Sequence, residues 1–501
     1  MLIQKRNGLY QDYDAYKIKS AIQKAFQSLQ VQIDEGQLNE LVYDVEKQVY
    51  EKMSVEKIQD VVEETLMKYG YHQVAKAYIL YRQKHSENRA VIWDLIEILN
   101  DKELIELFEN IQKDYPQDEY SLKFLLIKLK TFYKNNMNQK EAFQMLIKAS
   151  VELISKDAPK WEMISARFLN YQIHKTIKEK MQQLKISSFY EKIKYLTNEG
   201  YYGRYILENY TKADIDELSS YIKEERNELF TYSGLELVMK RYLIQNHERE
   251  ILEKPQEMFM GIAMHLAIPE QERVKWAKEI YDILSTLKVT MATPTMSNAR
   301  KPFHQMSSCF IDTVDDSLAG IYKSIDNFAK VSKHGGGMGL YFGKVRANGS
   351  SIRGFKGAAG GVIRWIKLVN DTATAVDQLG VRQGAAAVYL DAWHKDLPEF
   401  LQLRTNNGDD RMKAHDIFPG VCYPDLFWKL AKNDLDAPWY MMCPHEIHEV
   451  KGYFLEDCYG EEWERKYYEC VDDERISKRV MSVKEIVRLI IKSLVETGTP
   501  F

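Results

Sequence analysis

The chain has 501 residues, in which 69 Lys and Arg side chains nearly balance 73 Asp and Glu side chains for a formal net charge of −4. This length exceeds one typical domain, so we expect two or three domains with a sizeable buried core. The balanced charge argues against a nucleic-acid-binding protein and confines phosphate recognition to local pockets. The sequence has no signal peptide and no apolar run of about 18 residues, which predicts a cytoplasmic protein without a membrane partner.

Residues 1–90 predict a small regulatory or binding module. An extended start with a turn at Asn7-Gly8 precedes amphipathic helices. Apolar residues recur at helical spacing after Asp14 and after Ser54, and both side chains are suited to cap a helix N-terminus. Residues 91–290 are charged, rich in aromatic residues and again helical in pattern, which indicates packing and not chemistry.

The chain changes character near residue 290, where glycine becomes frequent. Seven of the 25 glycines precede this point, whereas 12 lie between Gly335 and Gly384. Short apolar runs then alternate with helical stretches, as in strand–helix–strand units around a central sheet or barrel. The predicted strands include Ser308–Ile311, Gly339–Phe342 and Ala385–Leu390, and the predicted helices include Leu318–Ser332 and Gly361–Ala375. We therefore expect an α/β fold with its functional edge at the glycine-rich loops.

Four segments of this region carry residues suited to chemistry. A glycine cluster such as Gly335–Gly339 is by itself more often a turn than a ligand cradle. Here Ser307-Ser-Cys309 precedes it, and two arginine-bearing loops, Lys344–Arg353 and Gln378–Gly384, follow it. Arginine pairs with phosphate oxygens through its planar guanidinium, and serine supplies a short hydroxyl donor, so these segments together could hold more than one nucleotide.

These segments resemble the large (alpha) subunit of class I ribonucleotide reductase. The resemblance is carried by Thr293–Arg300, Gln305–Asp316, His334–Gly354 and Ala375–Ala387, and by Tyr232–Tyr242 and Pro255–Met260 upstream. Lys5-Arg-Asn-Gly8 followed by Asp12–Lys17 resembles the ATP-cone of such reductases. The resemblance implies an ATP-cone at residues 1–90, a helical domain at 91–290 and, at 291–501, the first part of a ten-stranded α/β barrel that is incomplete in this chain.

The resemblance also implies roles for individual residues in the reduction of ribonucleoside diphosphates to deoxyribonucleoside diphosphates. Cys309 matches one of the two redox-active thiols that supply the electrons. A single thiol cannot complete that cycle, because removing a ribose hydroxyl as water takes two electrons and leaves a disulfide. The positions that match contacts to the substrate diphosphate and ribose are Thr293, Ser308, Gly336 and Gly337.

Two sets of residues match allosteric sites. The specificity site, which binds a deoxynucleotide effector, matches Asp316, Ser317, Arg346, Ile352 and Arg353, and the loop that carries its information to the substrate matches Gln378 and Arg382. The activity site, which binds ATP or dATP, matches Lys5, Arg6, Asn7, Gln11 and Lys17. Basic residues near a terminus are usually solvated, and such cones can lose regulation, so inhibition by dATP stays open.

The sequence departs from the family in what it lacks. The Asn-Leu-Cys-x-Glu string that carries the thiyl cysteine is absent from the 501 residues, as are the second redox cysteine, the radical-relay tyrosine pair and the C-terminal cysteine pair. We interpret Cys422, Cys443, Cys458 and Cys470 as structural. The hypothesis is a split, intein-interrupted or truncated alpha subunit that needs a C-terminal fragment for activity.

Several partners follow from the resemblance. The radical would come from a separate metal-containing beta subunit, the electrons from thioredoxin or glutaredoxin, and the alpha chain would form a homodimer next to the specificity site. No metal site is predicted in this chain itself. Two alternatives stay open: a fragment of a cobalamin-dependent class II reductase, and a nucleotide-binding remnant without turnover.

Overall fold

The computed structural model describes residues 1–5, 10–134, 136–376 and 384–501, apart from the side chains at 84 and 85. The chain folds into two compact units, Met1–Tyr171 with Phe230–Leu235, and Gln172–Leu229 with Glu236–Phe501. Within the described part of the chain, no helix is both long and apolar enough to cross a membrane. The domain boundaries expected at residues 90 and 290 stay predictions.

The first unit opens with a small antiparallel strand pair and continues as helices. Strand β1 (Leu2–Gln4) pairs with β2 (Tyr10–Asp12), and Ile3 lies opposite Gln11. The expected turn at Asn7-Gly8 lies outside the described residues. The helices are α1 (Ala15–Ser28), α2 (Glu35–Glu46), α3 (Val55–Lys68), α4 (His72–Leu99), α5 (Leu104–Asp114), α6 (Leu122–Phe132), α7 (Gln139–Val151) and α8 (Trp161–Gln183), the last of which continues into the second unit.

The predicted helix starts in this unit are confirmed. The Asp14 carboxylate accepts a hydrogen bond from the backbone N–H of Tyr16 at 3.0 Å, and it caps α1. The Ser54 hydroxyl caps α3 in the same way. Such caps satisfy N–H groups that have no partner within the helix, and the apolar faces behind them pack together in the core of residues 1–90.

Helices continue to residue 298, which confirms the prediction that the first 290 residues are mostly helical. They are α9 (Phe189–Asn198), α10 (Tyr205–Asn209), α11 (Lys212–Tyr221), α12 (Tyr232–Arg241), α13 (Pro255–Ala267), α14 (Arg273–Ser285) and α15 (Thr293–Asn298). Helix α13 is buried on all sides, with Met258, Met260 and Ile262 fully enclosed. A helix that is apolar all round belongs in the interior, and α13 forms the core of this region.

A four-stranded parallel sheet follows, which confirms the α/β expectation. Its strands are β3 (Cys309–Thr313), β4 (Gly337–Tyr341), β5 (Ala386–Asp391) and β6 (Phe418–Cys422), in that spatial order. Helices α16 (Leu318–Lys333) and α17 (Val362–Ala375) connect the first three strands, as parallel pairing requires. Leu340, Val388 and Leu390 are buried on one face of the sheet, and Cys309 and Ile311 lie on the opposite face.

The last part of the chain packs further helices and a second strand pair onto this core. Strand β7 (Pro438–Met442) pairs antiparallel with β8 (Lys478–Ser482). The remaining helices are α18 (Leu397–Phe400), α19 (Asp425–Asn433), α20 (Pro444–Lys451), α21 (Gly460–Val471) and α22 (Val483–Thr497). Because the sheet strands are all parallel, their amino ends share one edge and their carboxyl ends share the other, and each edge holds a candidate site.

Candidate functional site

The amino edge of the sheet brings four predicted site residues together. Cys309 is the first residue of β3 and lies opposite Gly337 on β4. The Gly337 N–H donates to the Ser308 carbonyl at 2.8 Å, and Gly336 directly precedes this contact. The Cys309 thiol is free and exposed. An exposed thiol therefore lies beside a glycine backbone that a ligand can approach closely.

Packing explains why position 336 is a glycine. A Cβ atom there would lie 2.6 Å from the ring of Phe310 and 2.8 Å from the side chain of Val331. Those separations are well inside van der Waals contact, so even alanine would push the backbone away from β3. The close approach of the two strands next to Cys309 depends on this missing side chain.

Thr293 belongs to the short helix that precedes β3 in the chain. It is the first residue of α15, and its hydroxyl is 3.3 Å from the hydroxyl of Tyr242. The Asn298 side chain, at the other end of α15, donates to the Gln305 carbonyl at 2.9 Å, just ahead of Ser308. The structure thus ties the helix that begins at Thr293 to the segment that leads into β3.

A fully buried ion pair lies at the C-terminal end of α15. The Arg300 guanidinium bonds the Glu253 carboxylate and donates to the carbonyls of Met296 at 2.9 Å and Tyr242 at 2.7 Å. Tyr202 donates its hydroxyl to Glu253 at 2.9 Å. Both charged side chains have no solvent exposure. The sequence assigned them no role, although an arginine two residues after a short helix of mostly small residues was a usable signal.

The opposite, carboxyl edge of the sheet holds a cavity of about 410 Å³. It lies where β3 ends and where the loop after β4 turns back toward α17. All five described residues that the sequence assigned to the specificity site line it: Asp316, Ser317, Arg346, Ile352 and Arg353. The sequence assigned no site role to the residues that complete the lining, which are Leu318, Ile321, Val345, Ala359, Gly360, Gly361 and Trp365.

One ion pair organises this cavity. The Arg346 Nε lies 2.9 Å from one Asp316 carboxylate oxygen and 3.1 Å from the other. The backbone N–H of Arg346 also donates to the Asp316 carboxylate at 3.1 Å, and the guanidinium makes one further contact. Its Nη1 donates to the Ser351 carbonyl at 2.6 Å. Ser317 caps α16, because its hydroxyl accepts from the Gly320 N–H. The pair holds the Arg346 guanidinium at the cavity wall beside the N-terminus of α16, with its charge offset by Asp316. Arg353 adds a second guanidinium to the lining, and this surplus positive charge suits an anionic ligand.

The remaining predicted residues are dispersed or lie outside the described residues. Gln378, Arg382, Arg6 and Asn7 are not described. Lys5 follows β1, Gln11 lies on β2, and Lys17 is in the first turn of α1. The Lys5 and Lys17 side chains are exposed. The assignment of an ATP or dATP site to these residues stays a prediction.

Comparison with known protein families covers most of the chain. Residues 1–87 match the ATP cone domain, residues 228–304 match the all-alpha domain of ribonucleotide reductase, and residues 307–501 match its barrel domain. Among curated relatives, the ribonucleoside-diphosphate reductase subunit alpha of Treponema pallidum (strain Nichols) is 55% identical across 100% of this chain. The chain belongs to the class I ribonucleotide reductase large (alpha) subunit family.

Other reductase alpha subunits match over different lengths. That of Helicobacter pylori (strain J99) is 40% identical over 74% of this chain, and that of Chlamydia trachomatis serovar D is 32% identical over 99%. This chain covers 60%, 45% and 50% of the Treponema, Helicobacter and Chlamydia proteins, respectively. The family matches confirm the expected ATP-cone, helical region and barrel portion with its parallel sheet, and the roles of single residues stay predictions.

The chain has a second cavity, of about 480 Å³, at the carboxyl ends of β5 and β6. Burial raises the pKa of Asp391, which accepts a hydrogen bond from Tyr341, to about 6. Burial and the nearby Asp391 raise the pKa of Glu456 to about 7. Neither Glu456 carboxylate oxygen has a hydrogen-bond partner among the described residues. Nor do those residues hold a group of His, Cys, Asp or Glu side chains suited to a metal ion.

The raised pKa of Glu456 predicts a specific pH dependence of stability. The folded chain holds this proton more tightly than the unfolded chain, so the stabilisation is complete below about pH 4.5 and is lost as the pH rises through about 7. At pH 8, we expect Glu456→Gln to unfold at a higher urea concentration than the parent, with a free energy of unfolding that is higher by at most about 3 kcal/mol. At pH 4.5, we expect no such gain. Exposed Glu461 lines the same cavity, and Glu461→Gln serves as the control. Equal gains at both pH values would contradict the assignment.

Proposed function

We propose that this chain is the nucleotide-binding and thiol-bearing part of a ribonucleoside-diphosphate reductase alpha subunit. The observation that carries the proposal is the free, exposed thiol of Cys309 at the start of β3, next to Ser308 and the glycine backbone of β4. An anion-suited cavity at the opposite edge of the same sheet supports it. Substrate reduction and effector control then occupy the two edges of one sheet.

The reaction needs two thiols. The bond between C2′ and its oxygen breaks, and the hydroxyl leaves as water. Cys309 and a second cysteine each give up one proton and one electron, and they end as a disulfide. A radical supplied by a metal-containing beta subunit activates the ribose, and thioredoxin or glutaredoxin restores the thiols. Cys309 is the electron donor that this sequence contributes.

The proposed binding roles follow the chemistry of the two edges. Thr293 and Ser308 offer hydroxyl groups to the substrate diphosphate, and Gly336 and Gly337 leave room for it near Cys309. In the 410 Å³ cavity at the carboxyl edge of the sheet, Arg346 and Arg353 provide positive charge for the phosphates of a deoxynucleoside triphosphate. Asp316, Ser317 and Ile352 complete that site. ATP or dATP would bind the cone as a separate effector, with Lys5, Gln11 and Lys17 among its ligands.

We also propose that turnover needs residues outside this sequence. The thiyl cysteine of the Asn-Leu-Cys-x-Glu string and the second reducing cysteine have no counterpart in the 501 residues. A C-terminal alpha segment, joined by splicing or added as a separate chain, would supply them. The assembled alpha subunit would act as a homodimer with its beta subunit.

Reconstitution tests this function. The purified chain is combined with a radical-generating beta subunit, a reductant and radiolabelled CDP, with or without the C-terminal part of the Treponema pallidum relative. We expect dCDP only when the C-terminal part is present. Turnover by the chain alone would overturn the need for that part. Nucleotide binding with no turnover in either mixture would favour the remnant without catalysis.

A further inference from the structure

The loop after β4 is held from behind by residues that do not line the effector cavity. We call residues 345–361 the effector loop, because they carry Arg346, Ile352 and Arg353 into that cavity. Three side chains bond its backbone: His394 and Asp396 follow β5, and Cys443 follows β7. None of the three belongs to the cavity lining or to the residues that the family resemblance singled out.

Asp396 joins the two ends of the effector loop. Its carboxylate oxygens accept hydrogen bonds from the Asn348 N–H at 3.0 and 3.1 Å, and one of them also accepts from the Val362 N–H at 3.0 Å. Asp396 is only 5% exposed. Gly361 has φ +75°, and a Cβ atom there would lie 2.5 Å from the Asp396 carboxylate. The carboxylate thus fits against a backbone shape that only glycine adopts readily.

His394 orients Asp396 and fixes the start of the loop. The backbone N–H of Asp396 donates to His394 Nδ1 at 3.1 Å, so this nitrogen carries no proton. The other ring nitrogen, Nε2, therefore carries the proton and donates it to the Val345 carbonyl at 2.9 Å. The ring is fully buried, and burial lowers the pKa of His394, which keeps it neutral in this role.

Backbone hydrogen bonds join the segments that carry these side chains, and Cys443 provides the third contact to the effector loop. Its sulfur accepts hydrogen bonds from the Ala347 N–H at 3.3 Å and from the Ser350 hydroxyl at 2.9 Å. The backbone of Met442 pairs with the segment after β5, because its N–H donates to Trp393 at 2.8 Å and its carbonyl accepts from Lys395 at 3.0 Å. The ends of β5 and β7 thereby form one support under the effector loop.

We propose that Asp396 is a positioning residue of the effector pocket, which holds both ends of the effector loop so that Arg346 and Arg353 face a bound deoxynucleoside triphosphate. This inference rests on the proposed function of the pocket. Asp396 does not contact the nucleotide. The isosteric Asp396→Asn change removes the charge and places an NH₂ group against the Asn348 N–H in either amide orientation. The loop then loses charge-assisted hydrogen bonds, and the arginines lose their fixed spacing.

Equilibrium binding of radiolabelled dTTP to the full chain tests the proposal. We expect Asp396→Asn to weaken dTTP binding by about tenfold or more. Each hydrogen bond to a charged group changes the equilibrium in favour of the ordered loop by about that factor, and only the ordered loop places both arginines at the nucleotide. Asn348→Ala is the matched control, because Asn348 bonds Asp396 only through its backbone and its side chain is exposed. This variant is expected to bind dTTP like the parent. Equal binding by Asp396→Asn and the parent would overturn the inference.

Two further variants separate the possible failures. Arg346→Ala removes a direct ligand, so a parent that binds no dTTP, or that binds it independently of Arg346, refutes the proposed pocket itself. Asp396→Glu keeps the charge but lengthens the side chain by one methylene group, and it replaces Asp396→Asn if that variant does not fold. Melting temperatures are measured alongside. A lower melting temperature with unchanged dTTP affinity would make Asp396 a stability residue only and overturn the positioning role.

Discussion

Replacing Arg300 by alanine is expected to lower the free energy of unfolding of the unit Gln172–Leu229 with Glu236–Phe501 by about 3–5 kcal/mol. The change leaves the Glu253 carboxylate charged, fully buried and without its cation. It also removes the donors that bond the carbonyls of Met296 and Tyr242. Urea unfolding at neutral pH, followed by tryptophan fluorescence, measures the loss.

Two comparisons make this prediction specific. Arg475 is exposed and pairs with Asp473 on the surface, so Arg475→Ala is expected to cost less than about 1 kcal/mol. The double variant Glu253→Gln with Arg300→Met is expected to lose less than the sum of its single variants, because no buried charge is left alone. A loss for Arg300→Ala as small as that for Arg475→Ala would show that the buried pair contributes little.

The buried pair also bears on substrate binding. Arg300 holds the last turn of α15 through Met296, and Thr293 begins the same short helix. If Thr293 binds the substrate diphosphate as we propose, loss of the Arg300 hydrogen bonds will weaken that contact. In reconstituted enzyme, Arg300→Ala is thus expected to raise KM more than it lowers kcat.

The second large effect concerns Cys309. Cys309→Ser is expected to abolish repeated turnover in the reconstituted reductase, because a hydroxyl group cannot form the disulfide that releases two electrons. Binding of dTTP is expected to persist, since the proposed effector cavity lies at the opposite edge of the sheet from Cys309. Formation of dCDP and dTTP binding are measured on the same preparation.

Cys422 provides a matched control on the same sheet. It is also a free, exposed cysteine, but it ends β6 at the opposite edge. Although Cys422 reaches solvent, partial desolvation of its sulfur by the surrounding side chains, together with the Asp391 carboxylate, raises its pKa to about 11, so little thiolate forms at neutral pH. We expect Cys422→Ser to retain turnover. Sustained turnover by Cys309→Ser, or its loss in Cys422→Ser, would contradict the assigned role of Cys309.

Local features of the fold could be predicted well from the sequence. Asp14 and Ser54 cap helices as expected, and the apolar run at Ala385–Leu390 forms a strand. These features depend on neighbouring residues, whose spacing a sequence displays directly. The resemblance to a family added candidate sites, and the structure gathers its described specificity-site residues around one cavity.

The supporting residues could not be predicted in the same way. Arg300 lies 47 residues from its partner Glu253, and Asp396 lies 48 residues from Asn348. No local pattern records such pairs, because chain folding brings them together only after helices and strands have packed. Glu456 likewise has an ordinary acidic sequence context, and its raised pKa arises from burial in the folded chain.

The sequence by itself determined the helical first part, the α/β second part, the family, and the thiol and arginine loops. These depend on local periodicity and on short motifs, which survive without coordinates. Only the tertiary structure decided which edge of the sheet each described motif occupies and which buried groups hold it there. The physical reason is that parallel strands collect distant loops at one edge, and that a buried charge or N–H group must find its partner wherever the chain brings one.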